Sequence, residues 1–170
     1  AAQGAAKSFA SVYLDRAFAV PTSVIGTVVS VGMGASVAAA LAGGRLGRRL
    51  SSGKVMLIGS AIIAAGLALI GLGPSLPLAM LGVVLVYGLL GLWRPAYQAA
   101  QMQVAPPEAR GTVSGISAMA MSVGYGAMSY SGGLIAEGAG YPAVFVTGAS
   151  VALLAALLAG VLSQRMGRAR

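Results

Sequence analysis

Tyr87, Gly91, Arg94, Gln98 and Gln101 follow one another at steps of four, three, four and three. On an α-helix such steps keep residues on one face. A guanidinium flanked by a phenol and two carboxamides can hold an anionic group through charge-assisted hydrogen bonds. A second row, Gly111, Gly115, Ala118, Ser122, Tyr125, Ser129 and Gly132, repeats the spacing with small and hydroxylic residues. Small faces let helices approach closely, and hydroxyls can bond between helices. Tyr87, Arg94, Gln98, Gln101, Ser122, Tyr125 and Ser129 are therefore the candidate residues of a substrate path. Arg94 has three roles open to it: binding an anionic group, pairing with an acid, or snorkelling toward the nearer surface. The rings of Tyr87 and Tyr125 suit packing as well as binding.

Bond-making chemistry has little to work with. The chain has no His and no Cys. A Ser-His-Asp or Cys-His site is thereby excluded within it, and no metal site or cofactor is expected. The three acids, Asp15, Glu108 and Glu137, lie far apart, so no carboxylate pair is suggested. Glu137 is either solvated or a proton-coupling carboxylate. No phosphate-binding loop occurs, since neither G-x-x-x-x-G-K-[ST] nor a strand followed by G-x-G-x-x-G is present. The chain is not expected to be an enzyme.

The candidate residues need a scaffold, and composition says which. Charged residues make up 8% of the 170, against roughly 25% in soluble domains. Hydrophobic residues make up 58%. A soluble domain of this size cannot hide that much apolar surface, so the fitting solvent is lipid. Five apolar segments are long enough to cross a bilayer: 22–41, 55–73, 76–100, 112–136 and 142–163. Segment 8–21 is too short, and reads as the outer end of a helix whose beginning is missing. The expected fold is an all-α transmembrane bundle of five full spans plus one partial helix, forming a single domain over 1–170. Pro74 and Pro77, the Pro106–Pro107 pair, and Gly138, Gly140 and Pro142 punctuate the spans. Within the third, Trp93 suits a lipid-interface anchor and Pro95 a kink. The second and fifth spans are almost wholly apolar and suit lipid-facing positions, whereas the third and fourth carry the polar rows and should face inward.

Charge sets the orientation. The net charge is +8, and eight of the 11 basic residues fall in the gap after the first span, the gap after the third, and the tail. The two alternate gaps hold none. Basic short loops stay cytoplasmic, so 43–54 is a cytoplasmic loop and the C-terminus is cytoplasmic. Nucleic-acid binding is not expected, because the basic residues sit only in short gaps between apolar runs.

Two of these loops carry a resemblance. The stretch "ALAGGRLGRRL" is similar to the short basic loop of the major facilitator superfamily, roughly G-x-L-x-D-R-x-G-R-R. Arg45, Gly47, Arg48 and Arg49 match its second half, with Gly44 in place of the Asp and Ala40 in place of the leading Gly. "PPEARG", Pro106 to Gly111, is similar to the P-x-x-x-R-G loop that the same family places two spans later. The resemblance implies the C-terminal half of a secondary transporter, from the end of helix seven through helix twelve. It implies two six-helix halves rocking around a midplane site, with helices ten and eleven bordering the cavity and nine and twelve peripheral. Arg45, Gly47, Arg48, Arg49, Glu108, Arg110 and Gly111 become candidates for a cytoplasmic gate, or serve topology alone. The implied partners are the lipid bilayer, a missing N-terminal half and a small-molecule substrate. The implied location is a bacterial cytoplasmic (inner) membrane. Low charge and many small residues favour efflux of small amphipathic organic molecules. Two other classes stay open: a non-transporting membrane subunit that binds a partner protein, and a channel.

Overall fold

The computed structural model describes residues 2–46 and 52–168, with the backbone alone at 44–46, 104 and 162–168. Six helices follow in order: α1 (Ala2–Phe18), α2 (Thr22–Leu46), α3 (Ser52–Leu72), α4 (Leu76–Val104), α5 (Arg110–Ala139) and α6 (Tyr141–Arg168). A 3-10 turn, Pro107–Ala109, precedes α5. Among the described residues there is no strand, and the fold is an all-α bundle.

Four helices are long and apolar enough to cross a membrane, over Thr22–Gly43, Ser52–Leu72, Leu76–Gln103 and Tyr141–Val161. The sequence expects a fifth full span at 112–136. Its helix, α5, has 30 residues and ample length, but its many Gly and Ser residues leave it less apolar than the other four. The first helix also differs from expectation. It starts at Ala2 rather than Ser8 and ends at Phe18, three residues before Pro21. The alanine-rich start is a good helix former. Its low hydropathy hid it from a search for apolar spans.

The breaks follow local chemistry. Ala19 takes a left-handed backbone (φ 50°), and its N–H donates to the Asp15 carbonyl at 2.8 Å. This is a left-handed C-cap, after which Pro21 blocks continuation. Gly140 (φ 83°) ends α5 in the same way, donating to the Ala136 carbonyl at 3.2 Å. Glycine carries that conformation without a Cβ penalty, so α6 can start one residue later. Pro77 lies in the first turn of α4, where its missing N–H costs nothing.

α3 lies between α4 and α6, and α2 packs on α4. α1 runs across the bundle and meets every other helix. The core is where α1, α3, α4 and α6 converge: Leu14, Leu67, Ile70, Val83, Val86, Val144 and Phe145 are fully buried. Glycines set the closest approaches. A Cβ on Gly82 would lie 2.5 Å from the Gly66 carbonyl oxygen across the α3–α4 contact. A Cβ on Gly148 would lie 2.9 Å from Ala5 across the α6–α1 contact. Lipid tails are as apolar as leucine, so helices in a bilayer associate by such packing rather than by escaping the solvent.

α3 has both kinds of surface: Val55, Ile63, Leu67 and Ile70 are buried where it packs between α4 and α6, while Leu57, Ile58 and Leu72 stay exposed. An apolar surface fits lipid and a packed helix equally well. α6 is divided, burying Val144, Phe145, Ala149 and Ala152 while exposing Leu153, Leu154, Leu157 and Leu158.

Aromatic rings tie the far end of α1 to α6. Tyr13 meets Phe145 edge-on at 5.3 Å and Phe18 at 5.8 Å. Arg16 sits over the Tyr141 ring at 5.8 Å, a cation–π contact.

Candidate functional site

The face of α4 meets α2 across two glycines. A Cβ at Gly32 would lie 2.8 Å from that of Tyr87, and a Cβ at Gly91 would collide with the Ser36 carbonyl. The close crossing brings a helix turn of α2 against Tyr87, Gly91 and Arg94. Pro95 sits inside α4, which runs on through it. Proline has no N–H, so the Gly91 carbonyl lacks its donor four residues later.

Here a cavity of about 350 Å3 opens between α1, α2 and α4. Lys7, Ser36, Tyr87, Gly91, Arg94 and Pro95 line it, with Met33, Ala40 and Leu90 as apolar wall. Tyr87 and Arg94, two residues singled out by spacing, thus share one cavity. Lys7 is the residue that spacing misses, because the apolar segment begins one residue later, at Ser8. Its signal was a lone charge between the small residues "GAAK" and the apolar run that follows. Neither Lys7 nor Arg94 makes a hydrogen bond or ion pair among the described residues. A charge within a span costs roughly 2.5–3.5 kcal/mol on insertion scales and generally faces protein or water. Two in one cavity add mutual repulsion.

The remaining path candidates divide. Ser129 and Tyr125 converge on α1: the Ser8 hydroxyl lies 2.9 Å from that of Ser129 and 3.4 Å from the phenol of Tyr125. Tyr125 also borders a smaller cavity of about 170 Å3, with Gln3, Ser60, Trp93 and Met121. Ser122 instead donates to the Ala118 carbonyl of its own helix at 3.0 Å and is exposed. Gln98 is exposed and lies outside both cavities. Gln101 is half-buried, and its Nε2 is buried without a hydrogen-bond partner. The α5 row is therefore split. Tyr125, Ser129 and Gly132 reach α1, whereas Cβ atoms on Gly111 and Gly115 would meet nothing within 4 Å.

Trp93 is half-buried and joins α4 to α3. Its indole N–H donates to the Ser60 hydroxyl of α3 at 3.2 Å, and its ring stacks on Tyr97 at 4.9 Å. Ser60→Ala leaves that indole donor unpaired in an apolar setting. The expected cost is about 0.5–1.5 kcal/mol of stability. Unfolding of the purified protein measures it, and an unchanged midpoint would mean the bond contributes nothing.

Of the gate candidates, Glu108 is exposed in the 3-10 turn, and Arg110 and Gly111 are exposed at the start of α5. None of them forms an ion pair among the described residues. Arg45 lies in the last turn of α2, described by its backbone alone. Gly47, Arg48 and Arg49 lie outside the described residues.

An apolar helical bundle with four helices able to cross a bilayer is the build of an integral membrane protein. The family model described as Major Facilitator Superfamily matches residues 2–169. The chain belongs to that family of membrane transporters. No solved structure matches it at a significant level.

Proposed function

We propose that the chain is the C-terminal half of a secondary active transporter. It works by alternating access, and an ion gradient or the substrate's own gradient drives it. The observation that carries this reading is the cavity between α1, α2 and α4, with Lys7 and Arg94 exposed in it and Tyr87 beside them. A missing N-terminal half supplies the opposite wall, so that substrate reaches these residues from one side of the membrane at a time. Efflux of small amphipathic organic molecules is the direction and class we favour, from the mixed polar and apolar lining. The location in this reading is a bacterial cytoplasmic membrane, and the basic loops support a C-terminus on the inside.

Reconstitution tests this. The full-length protein in liposomes is expected to give saturable solute flux that collapses when the imposed ion or solute gradient is dissipated. Flux linear in concentration would favour a channel, and no flux with any solute would favour the partner-binding subunit. Orientation has its own test. A cysteine replacing Ser52 should resist an impermeant reagent added outside intact cells, and ready labelling would invert the topology.

A further inference from the structure

The cavity between α1, α2 and α4 carries two cations on separate helices, Lys7 and Arg94, in a wall otherwise made largely of apolar groups. The three acids of the chain do not balance them. Asp15 lies near the far end of α1, Glu108 in the turn before α5, and Glu137 near the end of α5, and none pairs with either cation. From these observations we infer that the cavity is a binding site for a small amphipathic organic anion, a carboxylate or phosphonate on an apolar body. The inference deepens the transporter reading and rests on it.

Each part of the lining has a role in that class of ligand. The guanidinium of Arg94 presents a planar fork that matches two oxygens of a carboxylate or phosphonate. Lys7 adds a second point charge from the facing helix. The hydroxyl of Ser36 and the phenol of Tyr87 can donate to a remaining oxygen. Met33, Leu90 and the Tyr87 ring offer an apolar surface to the body of the ligand. The volume of about 350 Å3 falls in the range of small-molecule sites. A single carboxylate side chain from another helix would leave one of the two cations unbalanced, and would leave the apolar wall without a counterpart.

The test uses purified full-length protein in an uncharged maltoside detergent. Benzoate and phenylphosphonate are the probes, with benzamide and benzylamine as neutral and cationic counterparts. At least one anion is expected to raise the thermal unfolding midpoint, with neither counterpart doing so. Lys7→Gln and Arg94→Gln should each weaken that binding about tenfold or more. Should either variant fail to fold, Arg94→Lys keeps the charge and loses the fork, and is expected to bind several-fold more weakly. The inference is overturned if neither anion shifts the midpoint, if benzamide matches them, or if affinity is unchanged in the variants. A lipid headgroup phosphate has the same chemistry. Stabilisation by phosphatidylglycerol vesicles that needs both cations, with no response to either soluble probe, would assign the site to lipid and sink the soluble-anion proposal. Flux separates this failure from that of the parent reading. Saturable transport of neutral or cationic solutes alone removes the anion and keeps the transporter; anion binding without flux does the reverse.

Discussion

Arg94→Ala in the complete transporter is expected to lower kcat/KM for transport about 10- to 100-fold, while the protein still inserts and folds. A hydrogen bond to a charged group contributes about 1.5–3 kcal/mol, and each 1.4 kcal/mol is a factor of ten. Arg94 is exposed to the cavity and makes no hydrogen bond or ion pair among the described residues, so its removal should leave the packed core untouched. Val86, a buried core residue of α4, packs instead against Gly66 of α3. Arg94→Lys should be intermediate, since a lysine keeps the charge without the planar fork. Initial rates across a range of substrate concentrations, normalised to the amount of folded protein, measure both. Unchanged rates in Arg94→Ala would mean that the side chain merely snorkels, and would take it off the path.

The largest structural effect is expected from Gly82→Leu. A Cβ there would stand 2.5 Å from the Gly66 carbonyl oxygen, 2.7 Å from Ile70 Cγ1 and 3.1 Å from the Ile70 nitrogen. Two of those three are backbone atoms of α3, which cannot rotate away. Overpacking costs typically about 1–3 kcal/mol and occasionally more, and here α3 and α4 would have to separate. Reversible unfolding in detergent or bicelles should show a loss at or above the top of that range. Gly138→Ala is the control, because its Cβ would meet nothing within 4 Å. It replaces a poor helix former with a good one, a gain of up to about 1 kcal/mol. If the two substitutions cost the same, the close α3–α4 crossing does not occur.

These two residues also show where sequence was readable. Arg94 stood out because charge is rare in this chain, and the helical steps to Tyr87 and Gly91 placed the three together. Structure puts them on one cavity. Gly82 did not stand out among 26 glycines, since only the partner helix reveals which glycine sits at a crossing. Lys7 was missed for a thermodynamic reason. "AAQGAAK" forms helix through alanine propensity rather than hydropathy, so an apolar-span criterion starts the helix too late. Which apolar residues of α3 pack against α4 and α6 and which stay exposed is not legible in sequence, because lipid and neighbouring helices make the same demand on its surface. The α5 row was legible as a face, and the structure divides it. Its later part meets Ser8 and Phe9 of α1, while Gly111 and Gly115 stay open.

Ser36, Met33 and Ala40 mark a further limit. Each is unremarkable in sequence, and α2 carries no charge before Arg45. They join the cavity only because Gly32 and Gly91 let α2 and α4 touch. Sites of this kind are made by backbone proximity, and spacing along one helix cannot reveal the second wall.

The central claim is that this chain forms one lobe of a two-lobed transporter, whose cavity wall the other lobe completes. The most direct measurement is the length of the natural product, tagged at its C-terminus and sized from membranes. The expected result is roughly 400 residues, the length that two six-helix halves require. A product near 170 residues, the length of this chain, would contradict it, and would turn the cavity of Lys7 and Arg94 into the surface of a self-standing membrane subunit.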